Sequence, residues 1–229
     1  MKANKLAENL KKFWENTAAR NAHLGKDGEG ADLMERARLF VGEKMSLKNK
    51  TVIDFGCGGG FLGKYLLENK PIKKYIAFDV ATRSLSQAKE NLKGFEDKTE
   101  FRQVIDHTWN FAELKPDVIV CLAVMIHFPT QLYLDNFIRT CENSGAKNLV
   151  LEIRNKGRGL VMQKEPYSAD CFAASPKTCL TCETSPEYVA ARLPSYNLVD
   201  KTNAERAPTN CQVLWFEKKR AKAEEKTEN

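Results

Sequence analysis

Apolar positions recur in two alternating rhythms through the middle of the chain. Short apolar runs typical of buried strands alternate with stretches in which apolar residues return every three or four positions, as on one face of a helix. The runs predict five strands, at residues 51–55, 75–78, 100–105, 117–124 and 148–153. The intervening stretches predict helices near residues 61–66, 85–92 and 132–141. Strands and helices in alternation indicate a parallel sheet covered by helices on both faces.

The pattern changes on either side of this repeat. Residues 1–45 predict an N-terminal helical cap, with one helix at 5–20 and a second from Leu33 to about Lys44. Residues 155–183 are polar, contain Gly, Pro and Cys, and are too long for an ordinary connection, so they predict a lid or a wall beside the ligand-binding face of the sheet.

The chain after residue 183 predicts three more elements. A helix begins in TSPEYVAARL with Thr184 or Ser185 as N-cap, and two strands follow at 196–201 and 211–217. The loop between these strands is short enough for a hairpin. The charged tail at 219–229 predicts a disordered segment.

Composition limits the class of protein. The 229 residues are 42% hydrophobic and 29% charged, which is ordinary for a soluble globular chain. No apolar run approaches the roughly 20 residues that cross a bilayer, and the charged N-terminus lacks the apolar core of a signal peptide. An odd number of cysteines, seven, favours reduced thiols. We therefore expect a cytoplasmic protein without membrane association.

The net charge of +6 does not by itself indicate a nucleic acid partner. Lysine and glutamate are interleaved along the chain, and part of the excess charge lies in the C-terminal tail. A nucleic-acid-binding surface normally concentrates its basic residues in a patch or stripe. We expect no nucleic acid partner on this pattern.

The first predicted strand runs into a glycine-rich turn, VIDFGCGGG at residues 52–60. Gly56, Gly58 and Gly60 carry no Cβ, so their backbone can turn tightly and approach a ligand closely. A plain strand-to-helix turn is the alternative. Asp79 ends the second strand 23 positions after Gly56, near where an acid holds a ribose hydroxyl in dinucleotide-binding folds. It could instead cap the next helix, but the two features together predict a nucleoside-containing cofactor.

These residues resemble the class I S-adenosylmethionine-dependent methyltransferases. The resemblance covers residues 50–153 and rests on D-F-G-C-G-G-G from Asp54 to Gly60 and on Asp79 at the end of the second strand. It implies S-adenosyl-L-methionine as the cofactor. It also implies a Rossmann-like α/β domain at 46–218, with a seven-stranded, mostly parallel sheet, an antiparallel final strand, the N-terminal helical extension and the insertion after strand five.

The resemblance also implies a set of residues around the cofactor. Asp79 would hold both ribose hydroxyls, and Asp106 is the candidate for the adenine amine. The full predicted set is Asp54, Gly56, Cys57, Gly58, Gly60, Asp79, Val80, Asp106 and Leu122.

His127 is the candidate catalytic residue. The fourth strand of the family runs into the methyl-transfer site, and His127 follows that strand here in AVMIHFP. A neutral imidazole can take a proton from a hydroxyl or amine nucleophile. The alternative is a histidine that only packs. Phe13 and Trp14 lie outside the repeat and either form a lid over the acceptor or anchor the first helix.

The cysteines leave a metal site open as an alternative. Cys179 and Cys182 have the C-x-x-C spacing of half a zinc site, but Cys171 and Cys211 stand alone in sequence. Ordinary thiols explain the same pattern, and we expect chemistry without a metal.

The sequence therefore predicts methyl transfer to a small-molecule or sugar-type acceptor. An RNA or protein methyltransferase is an alternative, although the chain has no N-P-P-Y type motif. A dehydrogenase is disfavoured by the G-x-G-x-G spacing. A non-catalytic subunit that binds a nucleoside cofactor is a further alternative, and the acceptor atom is not predicted.

Overall fold

The computed structural model describes residues 3–21, 41, 44–105, 109–155, 157, 159–162, 182–201 and 211–220. Seven strands in these ranges form one sheet in the order β3-β2-β1-β4-β5-β9-β8. Their bounds are β1 Thr51–Phe55, β2 Lys74–Asp79, β3 Thr99–Gln103, β4 Val118–Cys121, β5 Asn148–Arg154, β8 Tyr196–Lys201 and β9 Cys211–Lys218. Two short strands, β6 Val161–Met162 and β7 Cys182–Glu183, pair separately as an antiparallel ribbon.

Helices cover both faces of the sheet. The α-helices of the described ranges are α1 Ala3–Asn21, α2 Phe61–Asn69, α3 Thr82–Asn91, α4 Gln131–Asn143 and α5 Pro186–Ala190. Apolar residues of α2 and α3, such as Leu66 and Leu85, pack on one face of the sheet. Residues of α4 and α5, such as Phe137 and Val189, pack on the other face. The predicted two-sided α/β architecture is confirmed.

Strand direction also agrees with the prediction. Strands β1 to β5 are parallel, and the final strand β9 runs antiparallel to both of its neighbours, β5 and β8. Strand β2 lies next to β1 and β3 lies at the edge beyond β2, whereas β4 lies on the other side of β1. The connections that follow β1 and β4 therefore run to opposite sides of the sheet. A crevice opens between them at the carboxyl ends of β1 and β4, where α/β sheets bind ligands.

The end of the fourth strand differs from its prediction. The apolar run extends to Val124, but β4 ends at Cys121. Ala123 has a φ of 57°, and a 3₁₀ helix at Met125–His127 follows. An apolar run indicates that residues are buried but does not indicate their backbone conformation. It therefore does not distinguish a buried strand from an apolar turn that follows it.

Other boundaries differ in smaller ways. The third strand ends at Gln103, before the exposed Ile105. Ser185 is the N-cap of α5, where its hydroxyl accepts a hydrogen bond from Tyr188 N. Most of the helix predicted from Leu33, most of the insertion at 155–183, and residues 221–229 of the predicted tail lie outside the described residues.

No helix in the described part of the chain has the length and hydropathy that a membrane crossing requires.

Candidate active site

A cavity of about 410 Å³ lies over the carboxyl ends of β1, β2 and β4. Its floor comes from the β1–α2 turn and the ends of β2 and β4, and α1 supplies one wall. Its lining residues are Leu10, Trp14, Thr17, Ala18, Asp54, Phe55, Gly56, Cys57, Gly58, Gly59, Phe61, Leu62, Asp79, Val80, Ser84, Gln87, Val104, Leu122, Ala123, Val124, His127, Phe128 and Tyr133. The volume falls within the range of pockets for small molecules and cofactors.

The glycines of the turn serve different purposes. Gly58 has a φ of 52°, and a Cβ placed there would meet no protein atom within 4 Å. The space beside Gly58 is therefore open to a ligand. A Cβ on Gly56 would lie 2.1 Å from Val124 Cγ2, so Gly56 is required for packing of the β4 loop. Gly60 packs against Ala88 of α3 and does not line the cavity.

Asp79 joins two parts of the cavity floor. Its Oδ2 accepts a hydrogen bond from Gly58 N at 2.9 Å, and its Oδ1 accepts one from Ala81 N at 2.8 Å. Desolvation by burial raises the pKa of this carboxyl to about 6, although the bonds from Ala81 and Gly58 oppose the shift. Two carboxylate oxygens provide about four acceptor positions, so the geometry leaves acceptor capacity for hydroxyls of a ligand.

Asp54 is a second buried acid on the cavity wall. Tyr75 donates a hydrogen bond from its hydroxyl to Asp54 Oδ2 at 2.5 Å. Burial raises the pKa of Asp54 to about 7 despite this bond. Burial likewise raises the pKa of the neighbouring Cys57 thiol well above its usual range, so Cys57 stays protonated and is a poor nucleophile.

The end of β4 positions His127 at the cavity. His127 closes the 3₁₀ helix, where its backbone N–H donates to Val124 O at 2.9 Å, and its side chain is buried. The Trp14 indole packs edge-on against the imidazole, with ring centroids 4.8 Å apart. His127 therefore lies between the strand end and α1.

Most of the predicted site residues share this cavity. Asp54, Gly56, Cys57, Gly58, Asp79, Val80, Leu122 and His127 line it. Asp106 lies outside the described residues, and Gly60 is in the turn but away from the cavity. The contacts of these side chains with a cofactor remain a prediction.

Sequence reasoning missed two acids that shape the site. Glu152 of β5 is 1% exposed, and its Oε2 accepts a hydrogen bond from Ala123 N at 3.1 Å, which fixes the turn after β4. An acid inside the apolar strand NLVLEIR was the available signal, because buried carboxylates need partners. Glu15 of α1 bonds to the start of α3. Its position in an ordinary polar helix face gave no signal.

The cysteines yield no metal centre in the described part of the chain. Cys171 and Cys179 lie outside it, whereas Cys182 and Cys211 are buried. No group of three or more His, Cys, Asp or Glu side chains suited to a metal occurs among the residues that the structure describes.

The residues present fit a nucleoside cofactor. A buried carboxylate with spare acceptor positions suits a ribose diol, and the open space at Gly58 lies beside it. Apolar side chains such as Val80 and Leu122 flank the same floor and suit the faces of a base.

Comparison with known proteins agrees with this geometry. The model of a family described as a methyltransferase domain matches residues 53–146. A ubiquinone biosynthesis O-methyltransferase of Pseudomonas entomophila is 30% identical over 105 residues, which are 44% of this chain and 42% of that protein. The ribosomal RNA large subunit methyltransferase G of Colwellia psychrerythraea is 33% identical over 69 residues, 27% of this chain and 18% of that protein. The chain thus spans less than half the length of these curated relatives.

Solved structures share the fold. The magnesium protoporphyrin IX methyltransferase of Synechocystis PCC 6803 with bound SAM superposes with a TM-score of 0.67 at 14% identity, covering 93% of this chain and 97% of that one. At this identity the likeness concerns the fold. The match over residues 53–146, the sheet order and the glycine turn at the switch point together make this chain similar, in that region and in fold, to the S-adenosylmethionine-dependent methyltransferases.

Proposed function

We propose that this protein transfers the methyl group of S-adenosylmethionine to a small-molecule acceptor. The observation that carries the proposal is the buried Asp79 carboxylate beside the open face of Gly58, at the topological switch point of the sheet. Bound there, S-adenosylmethionine supplies an electrophilic methyl group, so the protein's task is to align the acceptor and exclude water.

The floor of the cavity supplies the cofactor contacts in this proposal. Asp79 accepts hydrogen bonds from the ribose hydroxyls while its bonds from Gly58 N and Ala81 N hold the carboxylate in place. Val80 and Leu122 contact the base, and the open space at Gly58 admits the ligand close to the backbone. Each of these contacts is made by a group that packing already fixes.

His127 is the proposed proton acceptor. The cofactor occupies the ends of β1 and β2, so the acceptor lies near the end of β4, where His127 lines the cavity. An imidazole nitrogen there takes the proton that a hydroxyl or amine acceptor loses, and later releases it to water.

The walls of the cavity favour a small acceptor. Trp14 of α1 and the aromatic residues Phe128 and Tyr133 line the cavity together with His127. A concave space lined largely by aromatic side chains suits a compact organic molecule. The ubiquinone-biosynthesis relative, which by its name acts in a small-molecule pathway, supports the same choice.

RNA is the second candidate acceptor. It is favoured by the ribosomal RNA methyltransferase relative, whose match covers 27% of this chain. The match is short and leaves most of this chain without a counterpart in that relative.

The acceptor experiment uses S-adenosylmethionine with a labelled methyl group. The purified protein is incubated in parallel with a panel of phenols, aromatic carboxylic acids, heteroaromatic amines and sugars, with total RNA, and with a protein extract. We expect label in a small molecule. Label that appears only in RNA or protein would reject the small-molecule acceptor, and a protein that does not bind the cofactor would reject the proposal as a whole.

A further inference from the structure

The first turn of α3 is bonded by an acid from a different helix. Glu15 of α1 accepts hydrogen bonds through Oε1 from Thr82 N and from the Thr82 hydroxyl, both at 2.6 Å. Its Oε2 accepts a third bond from Arg83 N at 3.2 Å. One carboxylate therefore satisfies two backbone N–H groups of α3 from 67 positions away in sequence.

Helix α3 has no side-chain cap from its own N-cap residue. That residue is Ala81, which carries no polar side chain, and Ala81 N is bonded to Asp79 Oδ1. The first N–H groups of a helix have no partner inside it, and the helix dipole favours a negative charge near them. Glu15 fills the place that a Ser, Thr, Asp or Asn cap normally takes.

The two acids act on one turn. Asp79 holds Ala81 N, and Glu15 holds the next two N–H groups along the chain, those of Thr82 and Arg83. The β2–α3 turn therefore joins the proposed ribose-binding carboxylate directly to α1.

Helix α1 is also one wall of the cavity. Leu10 and Phe13 are buried against Trp14, Val80 and Tyr133. Leu10, Trp14, Thr17 and Ala18 line the cavity, so any movement of α1 away from α3 would open it to solvent. The apolar contacts have no direction, whereas the three bonds of Glu15 fix where α1 sits along α3.

We infer that Glu15 is a positioning residue that holds α1 closed over the bound cofactor and slows its departure. The inference rests on the proposed function, because it takes the ligand of this cavity to be S-adenosylmethionine. Glu15 is not among the residues that line the cavity, and it acts through α1 and the β2–α3 turn.

The test compares Glu15→Gln with Glu8→Gln. Both changes remove one negative charge from α1, but Glu8 is exposed and serves as the matched control. The glutamine at position 15 retains one acceptor oxygen and places an NH₂ group where a backbone N–H now donates. Binding and release of S-adenosylhomocysteine are followed by stopped-flow fluorescence of Trp14 and the other tryptophans.

We expect Glu15→Gln to raise the dissociation rate by about tenfold, the scale of a lost helix cap, with little change in association. Glu8→Gln keeps the wild-type rate. Thr82→Ala, which removes only the hydroxyl bond, falls between the two. In turnover, Glu15→Gln raises KM for S-adenosylmethionine and leaves kcat at or above the wild-type value.

Trypsin gives a readout of closure. Lys11 and Lys12 are exposed on α1, and cleavage after them requires the helix to open. Bound S-adenosylhomocysteine should protect these sites in the wild type and in Glu8→Gln, and protect them less in Glu15→Gln.

The outcomes separate this inference from the proposed function. If the wild type binds and Glu15→Gln releases the ligand at the rate of Glu8→Gln, the inference is wrong even if Glu15→Gln unfolds at a lower temperature. If the folded wild type does not bind S-adenosylhomocysteine, the proposed function is wrong.

Discussion

His127 lies where the acceptor and the strand end meet, in contact with Trp14 on the opposite wall. Burial and the aromatic neighbour would suit a packing histidine, and the cavity exposure of the ring would suit a base. The position of His127 fits both a packing role and a role as a base, so a test of proton transfer is needed to distinguish them.

For His127→Asn we expect turnover to fall by about 100-fold when the acceptor must lose a proton, with the affinity for S-adenosylhomocysteine unchanged. Asparagine keeps a similar size and one hydrogen bond but has no basic nitrogen. The measurement is kcat/KM of the wild type and the variant at several pH values between about 6 and 9. A variant within a few-fold of the wild type at every pH would make His127 a packing residue.

Asp54 predicts a pH dependence of folding. Its pKa is raised from 3.8 to about 7 by burial, so the folded state binds a proton that the unfolded state has lost above about pH 4. The stabilisation from this group is therefore complete below pH 3.8 and is lost as pH rises through about 7.

Asp54→Asn removes that titration and keeps an oxygen to accept the bond from Tyr75. We expect the free energy of unfolding of the wild type to fall relative to the variant by about 1–4 kcal/mol between about pH 4 and 8, since each unit of pKa shift corresponds to about 1.4 kcal/mol. Urea denaturation at several pH values measures the difference. Asp79, whose pKa is also raised, is present in both proteins, and its charge adds to the shift of the Asp54 pKa. Parallel pH profiles for the two proteins would contradict the assignment.

At the scale of elements, two glycines of the β1–α2 turn have different roles, one in folding and one in binding. Gly56 leaves room for Val124 of the loop after β4, and Gly58 faces open space. Both have positive φ, so alanine at either position carries some backbone strain.

We expect Gly56→Ala to lower mainly the folding stability and Gly58→Ala to lower mainly cofactor affinity. The methyl group at position 56 would lie 2.1 Å from Val124 Cγ2, so the loop must shift. The methyl group at position 58 would enter the ligand space and meet no protein atom within 4 Å. Thermal unfolding and calorimetric titration with S-adenosylhomocysteine of both variants make the comparison, with Gly94→Ala as a control for positive φ in an exposed turn. A Gly58→Ala protein that binds as tightly as Gly94→Ala would contradict the close approach of the ligand.

At the scale of the whole molecule, the features that could be predicted are those that depend on local pattern. The alternating strands and helices gave the parallel sheet, and the turn from Asp54 to Gly60 and the strand-end Asp79 located the site because both lie at the switch point. The end of β4 could not be predicted, because the half-buried Val124 lies in a turn and looks like a strand residue in sequence.

The missed contacts join distant parts of the chain. Glu15 bonds a helix start 67 positions away, and Glu152 bonds a backbone N–H 29 positions before it. Such pairs arise from the packing of elements and leave no spacing rule in the sequence. The need for glycine at position 56 is likewise a tertiary effect, because it depends on where Val124 lies after the neighbouring strand β4.

The central claim is that Asp79 and the open turn at Gly58 hold S-adenosylmethionine. Its most direct test is calorimetric titration of S-adenosylhomocysteine into the wild type and Asp79→Ala, with the exposed Asp97→Ala as control. We predict one site per chain in the wild type, a loss of about 1.5–3 kcal/mol of binding free energy in Asp79→Ala, and none in Asp97→Ala. Equal affinity in all three folded proteins, or tighter binding of NAD than of S-adenosylhomocysteine by the wild type, would contradict it.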